Sequence, residues 1–329
     1  MNISEQNKLV MDDFPVFTTR NGEIPFWDHP LLKSSYVKPS KYYPYTGIEG
    51  AMTLLNRKII DEADFTLIKV LGDAVCANED QIRRYMSSLM SRSETSKRLD
   101  RLRTNGVVDR WKVRIRGDEE TRPPAPFTLG VAGYRLLKHY YSDQFFMAPD
   151  RWDNYGVGGL KRYVSMNELR YQFIEKKVVS KWKWNARLAN NARYKFPMSA
   201  AEVKTPNGNI NFLIDRAQMN QNFIGYFRDK FENWKYVYNK YGNLPISDFP
   251  ENPQIVIIYT STISIAEAIH KELLLDTLPF NILFLVEELI NENLESAYYQ
   301  PLKHQKLQRI NVHLQEEGTE LALISEEFF

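Results

Sequence analysis

A single cysteine, Cys76, stands among 329 residues, so no internal disulfide can form, and a reducing, cytoplasmic setting is expected. Its neighbours Val75 and Ala77 mark it as a small buried hydrophobe rather than a nucleophile. Histidine is scarce too. His29, His139, His270, His304 and His313 are scattered, none at metal-ligand spacing from another, so no metal site is expected. The glycines build neither a P-loop nor a dinucleotide fingerprint, and no cofactor is expected. The nearest approach, Gly156 to Gly159, follows no clear strand and lacks a following Lys-Ser. No serine sits in a nucleophile-elbow context. No apolar run follows a basic start, which excludes a signal peptide from the reading. The longest apolar stretch, Ile282 to Val286, is far too short to span a bilayer, so no membrane association is expected.

Net charge is also small, at +2, but it hides an imbalance. From Gln81 to Arg116 eleven Lys/Arg face three acids, Glu94, Asp100 and Asp109. Acidic residues near the C-terminus (Glu316, Glu317, Glu320, Glu326, Glu327) offset much of this excess.

The basic segment lies inside a readable pattern. Phe65, Ile68, Leu71 and Val75 recur at helical spacing. Asn78 with Gln81 is an N-cap pair for a short second helix carrying Ile82 and Met86. Ser91 with Glu94 has the spacing of a capping box and opens a third helix, which buries Thr95, Leu99 and Leu102 and ends at Asn105-Gly106. The period then becomes two. Trp111, Val113 and Ile115 fall on one face, Arg110, Lys112, Arg114 and Arg116 on the other. A proline-interrupted turn from Gly117 to Pro126 leads to a second strand, Phe127 to Leu129, and a closing helix, Val131 to Tyr141. Helix, helix, helix, strand, turn, strand, helix is the order of a winged helix, whose third helix enters the major groove while its hairpin meets backbone. The DNA-binding residues expected are Arg92, Ser93, Ser96, Lys97, Arg101 and Thr104 on the third helix, and Arg114, Arg116 and Arg122 on the wing. A solvated basic face on a protein-binding module is the alternative.

The chain divides in this reading into five parts. Residues 1–45, punctuated by Pro15, Pro25, Pro30, Pro39 and Pro44, form an extended arm. Residues 46–148 form the winged-helix domain, and the glycine-rich 149–160 a linker. An α/β domain covers 161–312 and an acidic tail 313–329. In the α/β domain, a helix from Val164 to Glu175 capped by Ser165 precedes strands at Val178 to Trp184, Ala200 to Val203 and Ile210 to Ile214, with a turn at Pro206-Asn207-Gly208. A long helix from Asn220 to Tyr241 carries Phe223, Phe227, Phe231, Trp234, Tyr238 and Tyr241 at three-and-four spacing, read as core rather than as a base-stacking platform. Gln254 to Tyr259 and Phe280 to Val286 are buried strands flanking a helix from Ser264 to Leu274. The fold class is therefore mixed α/β, with a partly parallel sheet in the second domain.

The stretches SRSETSKRLDRLRTNGVVDRW (Ser91 to Trp111) and PFTLGVAGYRLL (Pro126 to Leu137) resemble the winged helix of the replication-relaxation family of plasmids and conjugative elements. Phe127, Leu129 and Gly133 sit as in that family's Y-x-L-T-x-x-G ending, with Gly130 in place of the threonine. FLIDRAQMNQNFIGYFRDKFENWKYVY (Phe212 to Tyr238) is similar to its strand and long helix opening a restriction-endonuclease-like core. The chain departs from that core where a Pro-Asp pair is replaced by Pro197-Met198 and Glu-x-Asp by Leu213-Ile214-Asp215, so of the acids only Asp215 remains. The resemblance implies a degenerate, non-catalytic scaffold and sequence-specific binding of double-stranded DNA in plasmid replication, relaxation, mobilisation or transcriptional control.

From the residues alone Asp215 is a cap or a salt-bridge partner for Arg216 or Arg228. The expected function is a non-enzymatic DNA-binding regulator. It would form a homodimer through the second domain and work beside replication or mobilisation proteins. The alternatives are a metal-dependent nuclease with a divergent site and a protein-interaction module of a replication complex.

Overall fold

The computed structural model describes residues 16–118, 120–219 and 222–316. Among them helices and two sheets alternate, a mixed α/β architecture. Internal contacts gather residues 31–171 into one compact unit, and residues 16–30 with 172–316 into a second.

In the first unit, α1 (Ile48–Asn56) is followed by α2 (Glu62–Ala74), which opens on a full capping box. Asp61 accepts the amide of Asp64, and the Asp64 carboxylate accepts the amide of Asp61. Strand β2 (Cys76–Asn78) leads to α3 (Glu79–Tyr85) through the Asn78–Gln81 box, both halves of which are formed. Helix α4 (Arg92–Thr104) is capped by the Ser91 hydroxyl, which accepts the amide of Glu94 at 3.2 Å. The reciprocal bond expected of a capping box is replaced by a different one, because Arg98 Nε donates to the Glu94 carboxylate at 2.7 Å. Gly106, at φ +67°, closes α4 against Pro44, where a Cβ would stand 2.9 Å from proline Cβ. Then come β3 (Val108–Ile115), β4 (Pro126–Leu129) and α5 (Val131–Tyr140). Leu67, Ile68, Leu71, Ile82, Leu99, Leu102, Phe127, Leu136 and Leu137 meet in one core.

Two boundaries differ from the sequence reading. Residues 31–45 are not a bare arm: Leu32–Tyr36 is a strand, β1, antiparallel to β3 with Leu32 opposite Ile115 and Tyr36 opposite Trp111. The four-stranded order is β1-β3-β4-β2, so the outer half of β3 pairs with β1 rather than with β4. Residues 16–30 fall with the second unit, where the buried Asp28 carboxylate accepts from Arg216. Likewise 149–160 is no loop linker. Helix α6 runs from Arg151 to Glu175, with its one non-helical residue at Gly156, φ 52° and ψ −149°. Buried Trp152, Leu160, Tyr163 and Val164 supply packing that outweighs the poor helix propensity of three glycines. Ser165 is therefore buried inside a helix and not at its cap. Asn167 on α6 donates to the carbonyls of Ala74 and Cys76, and Gln81 donates to that of Val164, which ties the helix to the first unit.

The second unit is built on a seven-stranded sheet, β11-β10-β9-β8-β7-β6-β5. Strands β5 (Val179–Trp184), β6 (Ser199–Thr205) and β7 (Gly208–Arg216) form an antiparallel meander turned at Gly208, φ +111°. Helix α7 (Phe223–Tyr241) crosses to β8 (Gln254–Thr260), and α8 (Ile263–Leu273) to β9 (Ile282–Val286). Both new strands run parallel to their predecessors. The short α9 (Glu287–Ile290) follows. An antiparallel hairpin that the sequence reading did not contain, β10 (Tyr298–Leu302) and β11 (Lys306–Ile310), completes the sheet. Of the acidic tail, residues 317–329 lie outside the described residues, and with them the apolar Leu321, Leu323, Ile324, Phe328 and Phe329. No helix among the described residues is long and apolar enough to cross a membrane.

Candidate nucleic-acid interface

Helix α4 is fixed from below by buried Thr95, Leu99, Leu102 and Arg103. Its outward residues divide into those already engaged and those left free. Arg92 is exposed but reaches back to Asp80 at 2.7 Å. Ser96 accepts from Arg83 at 2.9 Å and donates to the Arg92 carbonyl. Arg101, half-exposed, is held by the carboxylate of Asp64, which is fully buried and also takes Arg98 at 2.9 Å. Arg98 further contacts Asp61 at 2.7 Å, and this pairing holds the Asp61 carboxyl down at about 2. Thr104 is half-buried, and its carbonyl accepts the amide of Tyr43 at 2.8 Å. Ser93 and Lys97 are exposed with no side-chain partner among the described residues. Of the helix residues expected to contact DNA, then, Ser93 and Lys97 are free, while Arg92, Ser96 and Arg101 are tied to the body of the unit.

The ribbon of β1 and β3 has two unlike faces. On one, Trp111 and Val113 are buried, and Trp111 Nε1 donates to Thr128 Oγ1 at 3.0 Å. Tyr36 lies edge-on to Trp111 at 5.8 Å between ring centroids and donates its hydroxyl to Asp109 at 3.2 Å. Burial on this face pushes the Asp109 carboxyl up to about 6 and raises the Tyr36 phenol. On the opposite face Lys33 stands directly across from Arg114 and Ser35 across from Lys112, all four exposed. Directly opposed residues lie close enough for like charges to repel. No acid stands on this face in either strand. Arg116 and Arg122 are exposed in the segment that follows β3, whose sequence also carries Asp118, Glu119 and Glu120.

The ribbon also adjoins the recognition-helix candidate, since Arg103 donates to the Val37 carbonyl at 2.8 Å, beside the C-terminal turn of α4. Lys33 is the cation that sequence reasoning missed. The signal was there in the alternation Leu32, Ser34, Tyr36, within a segment read as an arm because of its prolines.

In the second unit Asp215 lies near the end of β7, buried, with Lys230 of α7 at 2.6 Å. Tyr226 donates to Asp215 at 3.3 Å and accepts from Lys230 at 2.7 Å, and the amide of Met198 donates to Asp215 at 3.3 Å. The partner is thus neither Arg216 nor Arg228. Arg216, the next residue of an extended strand, points to the other face, where it binds Asp28 and Glu287 and lies over Tyr259 at 4.4 Å. Arg228 is exposed. Among the described residues no three His, Cys, Asp or Glu side chains gather where they could hold a metal ion. Cys76 is buried, and burial drives its thiol far above the ordinary range, away from thiolate chemistry. No family model, no curated protein and no solved structure matches this chain.

Proposed function

We propose that residues 31–171 form a winged helix that binds double-stranded DNA, with α4 in the major groove and the β1/β3 ribbon along the phosphate backbone. The observation that carries this reading is the opposed pair Lys33 and Arg114 with Lys112 beside them. Three exposed cations on one face of the two-stranded ribbon, with no acid among them, make a patch that the phosphates of a polyanion would neutralise. Lys97 and Ser93, free at the N-terminal half of α4, are the side chains left to meet base edges. Arg101 and Arg92 serve mainly to lock α4 to α2 and α3.

The second unit, in this reading, is a nuclease-like core kept as a scaffold and as the dimerisation surface. Its helix, three-stranded meander, helix and parallel strand support the likeness, and a lysine neutralises the one remaining acid. The chain then acts without catalysis in replication, relaxation, mobilisation or transcriptional control of a plasmid or mobile element.

The test is fluorescence anisotropy with duplexes drawn from its own replicon and with scrambled duplexes. Preference for one replicon sequence, lost in a Lys97→Ala, Arg114→Ala variant of unchanged fold, is the expected result. Equal, negligible affinity for every duplex at low salt would overturn the winged-helix reading and favour a protein-interaction role for this unit.

A further inference from the structure

The aromatic stripe of α7 is core on its inner side: Phe223, Phe227, Phe231 and Trp234 are all buried. Tyr241, read from its spacing as part of that core stripe, is instead exposed at the end of α7, and it joins rings that the stripe does not contain. Tyr226, Tyr236 and Tyr241 are 39%, 58% and 43% exposed, and Phe196 in the neighbouring loop is 42% exposed. The loop is laid along the helix by its backbone: the Lys195 amide donates to Asn233 at 2.8 Å, and Trp234 Nε1 donates to the Lys195 carbonyl at 2.5 Å. This wedges Tyr194 between Tyr236 and Tyr241, at 6.2 and 6.4 Å between ring centroids. Lys240 lies 5.0 Å over the ring of Tyr241 and 3.4 Å from the Tyr194 hydroxyl.

Tyr236 and Tyr241 adjoin Tyr194, and Lys240 puts a cation against two of these rings. The loop and the outward side of α7 present Arg187, Arg193, Lys195, Arg228, Lys235 and Lys240 against Asp229 and Glu232. Lys195 uses Asp229 as its partner. A second copy of this chain is a poor occupant, since a two-fold interface would set this basic surface against itself. An acidic polymer with flat, unstacked rings fits both halves of the surface: phosphates for the cations, bases for the tyrosines.

We propose that Phe196, Tyr236, Tyr241 and Lys240, set around the buried Tyr194, form a binding surface for single-stranded nucleic acid. It is separate from the duplex-binding ribbon and stands whether or not that reading holds.

The probe is a fluorescently labelled oligothymidylate of about 15 nucleotides, a length on the scale of single-strand binding sites, titrated with the full chain. Binding is expected to weaken about 5- to 150-fold for each of Tyr236→Ala and Tyr241→Ala, the range for losing one stacked base. Tyr241→Phe keeps the ring and should bind as the wild type does, which controls for a folding defect. Duplex affinity should not change in any of these variants. No binding of oligothymidylate at low salt overturns the proposal, as does binding that both alanine variants retain. So does a tyrosine-dependent dimer in sedimentation, which would make the surface a subunit contact. Failure of duplex binding with retained oligothymidylate binding would instead sink the winged-helix reading and leave this one intact.

Discussion

Replacing Lys33 and Arg114 together by alanine removes the two cations that face each other across the β1/β3 ribbon. Each phosphate contact contributes about 0.9 to the slope of log affinity against log salt on duplex DNA. If both residues touch phosphate, the slope of the variant should be shallower by about 1.8. Raising salt from about 50 to about 200 mM should then cost the variant about 12-fold less affinity than it costs the wild type. Stability should hold or rise slightly, because the opposed like charges are relieved, an effect on the order of a few tenths of a kcal/mol. The assay is anisotropy of a labelled duplex across that salt range, with thermal melting as a control. A variant with the wild-type slope would show that the ribbon does not follow the backbone, however basic it is.

Further variants test other contacts of the two units. Lys97→Ala should weaken binding to the preferred duplex by about 1–3 kcal/mol at unchanged melting temperature. Arg101→Ala should in addition lower the melting temperature, because it strips a partner from buried Asp64; equal effects of the two would contradict the division between free and anchored residues. Asp215→Ala should cost about 3–5 kcal/mol of stability by stranding buried Lys230, while Asp215→Leu with Lys230→Met should recover most of it. Neither change should alter duplex binding, and metal-dependent cleavage of supercoiled DNA that disappears with Asp215→Ala would overturn the scaffold assignment. The Asp109 carboxyl, raised to about 6 from 3.8, favours the folded state fully below about pH 4, and that contribution is lost as pH rises through about 6. Asp109→Asn should therefore raise the melting temperature at pH 8 and confer little at pH 4; a gain independent of pH would refute the assignment.

The parts of the fold that could be read were those whose causes are local. Asn78 and Gln81 are three residues apart, and both bonds of their box form as the spacing requires. Gly106 takes the left-handed conformation its place after α4 demands. What escaped was set by distant partners. Leu32–Tyr36 becomes a strand because the outer half of β3 offers an edge nearly eighty positions later, and short alternation amid prolines gives that little weight. The glycines of α6 look like a linker until buried Trp152 and Tyr163 are counted. Lys230 meets Asp215 because α7 packs across the face that Asp215 points to. Adjacent Arg216 could not do so, since neighbours on a strand point opposite ways.

At the candidate interface the basic side chains of α4 and β3 were visible in the sequence, Lys33 of β1 was not, and neither was which of them are already paired. Arg92 and Arg101 look as available as Lys97 until Asp80 and Asp64 are found beside them.

Hydrogen exchange of the full chain, with and without a saturating duplex from its own replicon, tests the central claim most directly. Slowed exchange confined to the N-terminal half of α4 and to β1 and β3 is the expected result. Protection that appears only in residues 172–316, or none despite a shifted duplex, would contradict a winged helix that reads DNA through α4 and the ribbon.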